Sequence, residues 1–299
     1  MRASPILCAL ATLGIAPAAD AALKVITTTT DLADLTRKVG GDRVDVEAIC
    51  HGDQDPHFVE ARPSYMVDLS RADLVVAVGL DLEIGWLPAL LQGARNPDIN
   101  PGRSGFLDAS TAIVPIEVPR GQVDRSQGDV HPRGNPHYWL DPENAMRVAT
   151  AIGDRLARLD PEGADDYRSR TRAYVRRLAA KLAGWRAALL PLAGAKVVSY
   201  HRTFNYFLAR FDLHAVDYME PRPGIPPSAS HLAQVIGRMK REGVNLVLHE
   251  NFYEPRASRM VAARADATLV ILPTSVGGVR GTGSYIALID HLVSALTGP

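Results

Sequence analysis

The sequence predicts an α/β protein of two βα lobes, each with a parallel sheet, joined by one long helix. Three observations predict it. Short apolar runs alternate with helical periodicity from Leu23 to about Ala94, and the alternation resumes after Ala195, which is the pattern of parallel sheets flanked by helices. Between the two stretches, from Pro142 to about Leu190, the helical pattern breaks only at "LDPEG" (159–163). A chain of 299 residues also lies where single cores usually stop growing, so two lobes are expected. The boundaries fall at 1–22 for a leader, 23–160 for the first lobe, 161–191 for the linking helix and 192–299 for the second lobe.

The leader has one arginine, an apolar run from Ile6 to about Ala16, and Ala-x-Ala sites at Ala16–Ala18 and Ala19–Ala21. That is the pattern of a secretory signal peptide, with a run too short for the ~20 residues of a membrane span. Cys8 lacks the small residues that precede a lipidated cysteine, so the expectation is a periplasmic protein and not a lipoprotein. Cleavage leaves Cys50 as the single cysteine, and no intramolecular disulfide is possible.

The elements then follow in order. "KVITTTT" reads as a strand, "DLADLTRKVGG" as a helix with a glycine stop, and "VDVEAIC" as a strand. A loop carrying His57 leads to a helix from Pro63 to about Arg71, the strand "DLVVAVG", and a helix over 82–94 in which Pro88 marks a kink position. Residues 115–140 are poor in apolar residues and rich in Gly, Pro and Asp, a long loop of the kind that is often functional. The run from Ala164 to Leu190, taken as one helix, makes a rod of ~40 Å at about 1.5 Å per residue. The second lobe reads as strand "KVVSY", helix "TFNYFLARF", strand "HAVDYM", helix "SASHLAQVIGRMKREG", strand "NLVLHE", helix "PRASRMVAARA", strand "TLVILP" and a final helix from about Ser284.

Lysine plus arginine equals aspartate plus glutamate at 33 each, so no broad field attracts nucleic acid or an anionic membrane. The informative residues are histidines. In open α/β sheets the ligand crevice lies beyond the carboxyl ends of the strands. His201 follows the strand "VVSY" directly, and His57 and His137 lie in first-lobe loops that can face the same crevice. Pro56 and Pro136 precede two of these rings, which stiffens the backbone and reduces the entropy lost when a ring is clamped. A lone histidine in a polar loop is as well explained by helix capping or exposure. Three that converge would favour zinc, since imidazole suits zinc, copper, iron and nickel, whereas oxygen-rich sites suit manganese and calcium.

The stretch "TTTTDLADLTRKVGGDRVDVEAICHGDQDPHFVEARPSYMVDLSRADLVVAVGLDLE", with "NPHYWLDPENAMRVATAI", "SYHRTFNYFLARFDL" and "GTGSYIALIDHLVSAL", resembles the zinc/manganese-binding substrate-binding proteins of ABC importers, the periplasmic solute-binding protein family 9. The likeness covers about residues 24–297. It implies two lobes on a rigid helix with a metal between them, ligands at His57, His137 and His201, and an inner-membrane ABC permease as partner, with a periplasmic metallochaperone as a further candidate and the chain itself a monomer. Members with histidine at the third position tend to bind zinc and those with glutamate manganese or iron, so Zn2+ is expected ahead of Mn2+. The family's usual aspartate is missing: Pro273 and Thr274 stand in its place, and no Asp or Glu lies between Ala267 and Ser284. Water fills the fourth position, or a carboxylate reaches it from elsewhere. Glu250 is the candidate because it ends a second-lobe strand; His249, Glu60 and His131 are weaker ones. An alternative function is a secreted zinc hydrolase, with three histidines, an open water position and Glu250 as base.

Overall fold

The computed structural model describes residues 22–121, 123, 128 and 130–298; the predicted leader, but for Ala22, lies outside them. The first sheet is built from β1 (Leu23–Thr27), β2 (Val44–Ala48), β3 (Leu74–Ala77) and β4 (Phe106–Asp108), in the order β2-β1-β3-β4 and parallel throughout. The second is built from β5 (Lys196–Ser199), β6 (His214–Tyr218), β7 (Leu246–Glu250) and β8 (Thr268–Leu272), in the order β6-β5-β7-β8 and again parallel. The two lobes thus repeat one topology. In such an order the crevice opens where the winding reverses, between β1 and β3 and between β5 and β7.

The helices start and stop where local chemistry directs. α1 (Thr30–Gly40) is capped by Thr29, whose side chain accepts from the Leu32 amide, carries Asp31 in its first turn and Arg37 and Lys38 in its last, and ends at Gly41 with φ 61°; each feature matches the helix dipole or an orphaned backbone group. α2 (Pro63–Ser70) begins at its proline. α3 (Leu87–Ala94) differs from expectation: Pro88 sits in its first turn and starts the helix instead of kinking a longer one, because a ring without an N–H is tolerated only there. β4 is a strand the periodicity does not reveal, since three residues are too few to display an alternation. α4 (Pro142–Leu159) is capped by Asp141, which accepts from the Glu143 amide.

α5 (Ala164–Leu189) is the linking helix, 26 residues or about 39 Å long. It packs on α1 and α4 at one side and on the C-terminal helix α9 (Tyr285–Thr297) at the other. In the second lobe, α6 (Asn205–Arg210), α7 (Ala229–Glu242) and α8 (Arg256–Ala265) complete the alternation. The largest buried cluster is continuous across both lobes, from Val25 and Leu74 through Tyr138, Trp139 and Trp185 to Val197, Phe207 and Leu292. Polar contacts add to that seam. Thr30 donates to the Val276 carbonyl at 2.7 Å, Asp31 accepts from the Val276 amide at 3.0 Å, and Asp34 accepts from the Tyr285 amide at 2.9 Å. The lobes share an interior as well as a helix.

Candidate metal centre

The first-lobe loop after β4 is built against the second lobe. Trp139 donates through Nε1 to the Thr274 carbonyl at 2.8 Å, and Arg210 clamps Asp141 through two bonds of 2.7 Å. The side chain of Asn135 donates to the Arg202 carbonyl at 2.9 Å, and the Tyr206 hydroxyl donates to the Asn135 carbonyl at 2.8 Å. His137 is therefore carried on a segment fixed to the opposite lobe. His57 arrives on the loop after β2, and His201 stands two residues beyond β5, at the reversal point of the second sheet.

The three predicted histidines meet. One ligand atom from each of His57, His137 and His201 lies within 4.8 Å of the other two. Ring centroids are 5.1 Å apart for His57–His137, 5.5 Å for His57–His201 and 5.1 Å for His137–His201. All three rings are almost fully buried.

Each ring also has one nitrogen held. Asp55 Oδ1 is 2.7 Å from His57 Nδ1, Asn135 Oδ1 is 2.8 Å from His137 Nδ1, and Glu220 Oε2 is 2.6 Å from His201 Nδ1. Acceptors at Nδ1 place the proton there and leave the lone pair on Nε2, the arrangement metal-ligating histidines normally have. Asp55 and Asn135 use the same oxygens to accept the backbone amides of His57 and His137, at 3.0 and 2.9 Å. The sequence motifs "DPH" and "NPH" are therefore matched clamps: an acceptor two residues ahead bonds both the amide and the ring of the histidine.

The electrostatics are uneven. Burial, and then repulsion from His201, His57 and His131, hold His137 well below the ordinary imidazole range. Burial also opposes charge on His201, but the bond and charge of Glu220, with Glu250 and Asp55 behind it, outweigh that and raise it. Burial would raise Asp55, yet its bonds to His57 and the charge there bring it down to about 2.

Glu250 lies outside the group of three histidines. It ends β7 as expected and is fully buried, but both carboxylate oxygens lack a hydrogen-bond partner. Burial pushes it up to about 7, with the charge of His201 opposing. His249 turns away, bonding Ser258 at 2.8 Å, and Glu60 pairs with Arg62 at the surface. His131 differs from expectation: its Nε2 is 3.2 Å from Nε2 of His57. In the sequence His131 is a weaker candidate than Glu250, since no flanking motif marks it. Ser284, in the glycine-rich segment before α9, caps that helix by accepting from the Ala287 amide.

The sequence profile of the family described as "Zinc-uptake complex component A periplasmic" (ZnuA) matches residues 25–298. The manganese ABC transporter substrate-binding lipoprotein PsaA of Streptococcus pneumoniae is 25% identical over 245 residues, 80% of this chain and 76% of its own. The zinc-binding lipoprotein AdcA of Streptococcus pneumoniae serotype 4 is 25% identical over 287 residues, 93% of this chain and 56% of its own. A crystal structure of ZnuA superposes with a TM-score of 0.77 at 25% identity, covering 92% of this chain and 98% of that one.

Proposed function

Because the chain belongs to the ZnuA family of metal-binding components of ABC importers, which are not enzymes, we propose that it captures zinc in the periplasm with His57, His137 and His201 and delivers it to an inner-membrane permease. Family membership sets aside the hydrolase alternative. The observation that carries the reading is the closed group of three imidazoles with every Nδ1 bonded to an acceptor.

Zinc is favoured over manganese by the donor set. Three neutral nitrogens and no carboxylate oxygen make a borderline site, which suits zinc better than an ion that prefers oxygen. The relatives include one that binds zinc and one that binds manganese, so the choice rests on this chain's own residues. Charge balance suits a divalent ion of either kind: Asp55 and Glu220, bonded behind His57 and His201, carry two negative charges. Glu250, which burial pushes up to about 7, stands outside the group of three histidines.

Capture then needs only a small contraction. With Zn–N bonds of roughly 2.0–2.1 Å, ligand atoms at the corners of a tetrahedron sit about 3.4 Å apart, against the 4.8 Å limit within which these three lie. Metal analysis and competition titration of the chain from Ala22, with alanine at each histidine in turn, test the reading: stoichiometric zinc is expected, and its loss in each variant.

A further inference from the structure

His131 lies outside the set of three, yet its ring meets one of them nitrogen to nitrogen. Its Nε2 approaches His57 Nε2 to 3.2 Å, with ring centroids 5.3 Å apart. The proton on His57 belongs to Nδ1, where Asp55 accepts it, so His57 presents a lone pair to His131. Two imidazole nitrogens at that distance are held together by a proton from the other ring or by a cation between them. The spacing is close to the edge of about 3.4 Å that a zinc tetrahedron requires.

The surroundings support a built position. The Gly134 amide donates to the His131 carbonyl at 3.1 Å, closing a turn immediately before the Asn135–His137 clamp. Gly134 takes φ 111°, and a Cβ there would meet the Ile116 carbonyl oxygen at 2.9 Å, so the turn depends on glycine. His131 lines both a cavity of about 240 Å³ that it shares with His137 and His201 and a larger one of about 890 Å³ that it shares with His57.

Resting on the zinc-capture reading, we propose that His131 is the fourth zinc ligand, taking through Nε2 the position that the missing aspartate leaves open. Without metal, the His131 Nε2–H donates to His57. When the ion arrives, the neutral ring carries its proton on Nδ1 and turns the Nε2 lone pair to the metal, a change of tautomer. The ring's proton count does not change, so no net proton is released from it. A ligand set of four neutral imidazoles results, its charge balanced by Asp55 and Glu220.

Histidine-ring 15N spectra of the chain from Ala22, loaded with one equivalent of zinc, test this. Four rings with a metal-bound Nε2 signature are expected, with one of the four lost in His131→Asn and all four kept in Glu250→Gln. A zinc-loaded protein in which three rings are bound and His131 shows a free-ring pattern overturns the proposal while leaving capture by three histidines intact. Fewer than three bound rings overturns the capture reading itself.

Discussion

The hydroxyl of Tyr253, in the second lobe, donates a 2.8 Å hydrogen bond to Oδ2 of Asp55, in the first, while Oδ1 of the same carboxylate holds His57 Nδ1 at 2.7 Å. One carboxylate therefore joins a lobe–lobe contact to the orientation of a ligand ring. Tyr253→Phe keeps the aromatic packing on Tyr200 and removes only that tie. Outer partners of metal-bound histidines usually contribute about 10–100-fold in affinity. Competition titration of Tyr253→Phe is expected to show zinc binding weakened by about tenfold with the fold unchanged by circular dichroism. Unaltered affinity would reduce the bond to packing.

Glu220 holds His201 from the far side of the site. Glu220→Gln keeps an oxygen that can accept from Nδ1 but removes one of the two balancing charges. A loss of about 10–100-fold in zinc affinity is expected. Asn135 is the neutral counterpart at His137, and its amide also donates to the Glu117 carboxylate and the Arg202 carbonyl; Asn135→Asp sets a carboxylate against both acceptors, so weaker binding is the expected result in the same titration.

A carboxyl group outside the three-histidine group gives a prediction for stability against pH. Glu83 is buried after β3 and accepts from the Thr28 hydroxyl and the Val78 and Gly79 amides at 2.7, 2.7 and 3.1 Å. Burial raises it from the ordinary 4.5 to about 7 in spite of those donors. The folded chain therefore keeps a proton between pH 4.5 and 7 that the unfolded chain has lost. This group's contribution is fully present below the lower value and fades as pH rises through the upper one. At about 1.4 kcal/mol per unit, the change is on the order of 3 kcal/mol. Urea unfolding of the metal-free protein at pH 5 and pH 8, compared with Glu83→Gln, should show a steeper fall in the parent than in the variant. Parallel slopes would contradict it.

The shared core and the contacts of Thr30, Asp31 and Asp34 with Val276 and Tyr285 leave little scope for the lobes to swing apart. Spin labels on α2 and α7 should give superimposable distance distributions with and without zinc. A shift of many ångströms would mean that capture works by domain closure.

Much of this was legible because the cues are local. Apolar periodicity placed all but one strand, and the Pro-His dipeptides and the end of the strand "KVVSY" marked three histidines that then met in space. What stayed hidden is what depends on tertiary distance. β4 is too short to show a pattern. Pro88 reads equally as a kink or a first turn until the preceding backbone is seen. Glu250 was placed at the right strand end, but strand position alone does not give the reach of a side chain. His131 had no motif around it, and only the folding of the loop onto His57 made it part of the site. The resemblance supplied the identity of the ligand set; the clamps at Nδ1 came from the structure.

The central claim is one ion held by three convergent imidazoles, and zinc stoichiometry under competition with a chelator measures it most directly. One tightly held zinc per chain, displacing manganese, is expected, with no stoichiometric zinc in His57→Ala, His137→Ala or His201→Ala. Full zinc retention in any of these folded variants, or a preference for manganese in the parent chain, would contradict it.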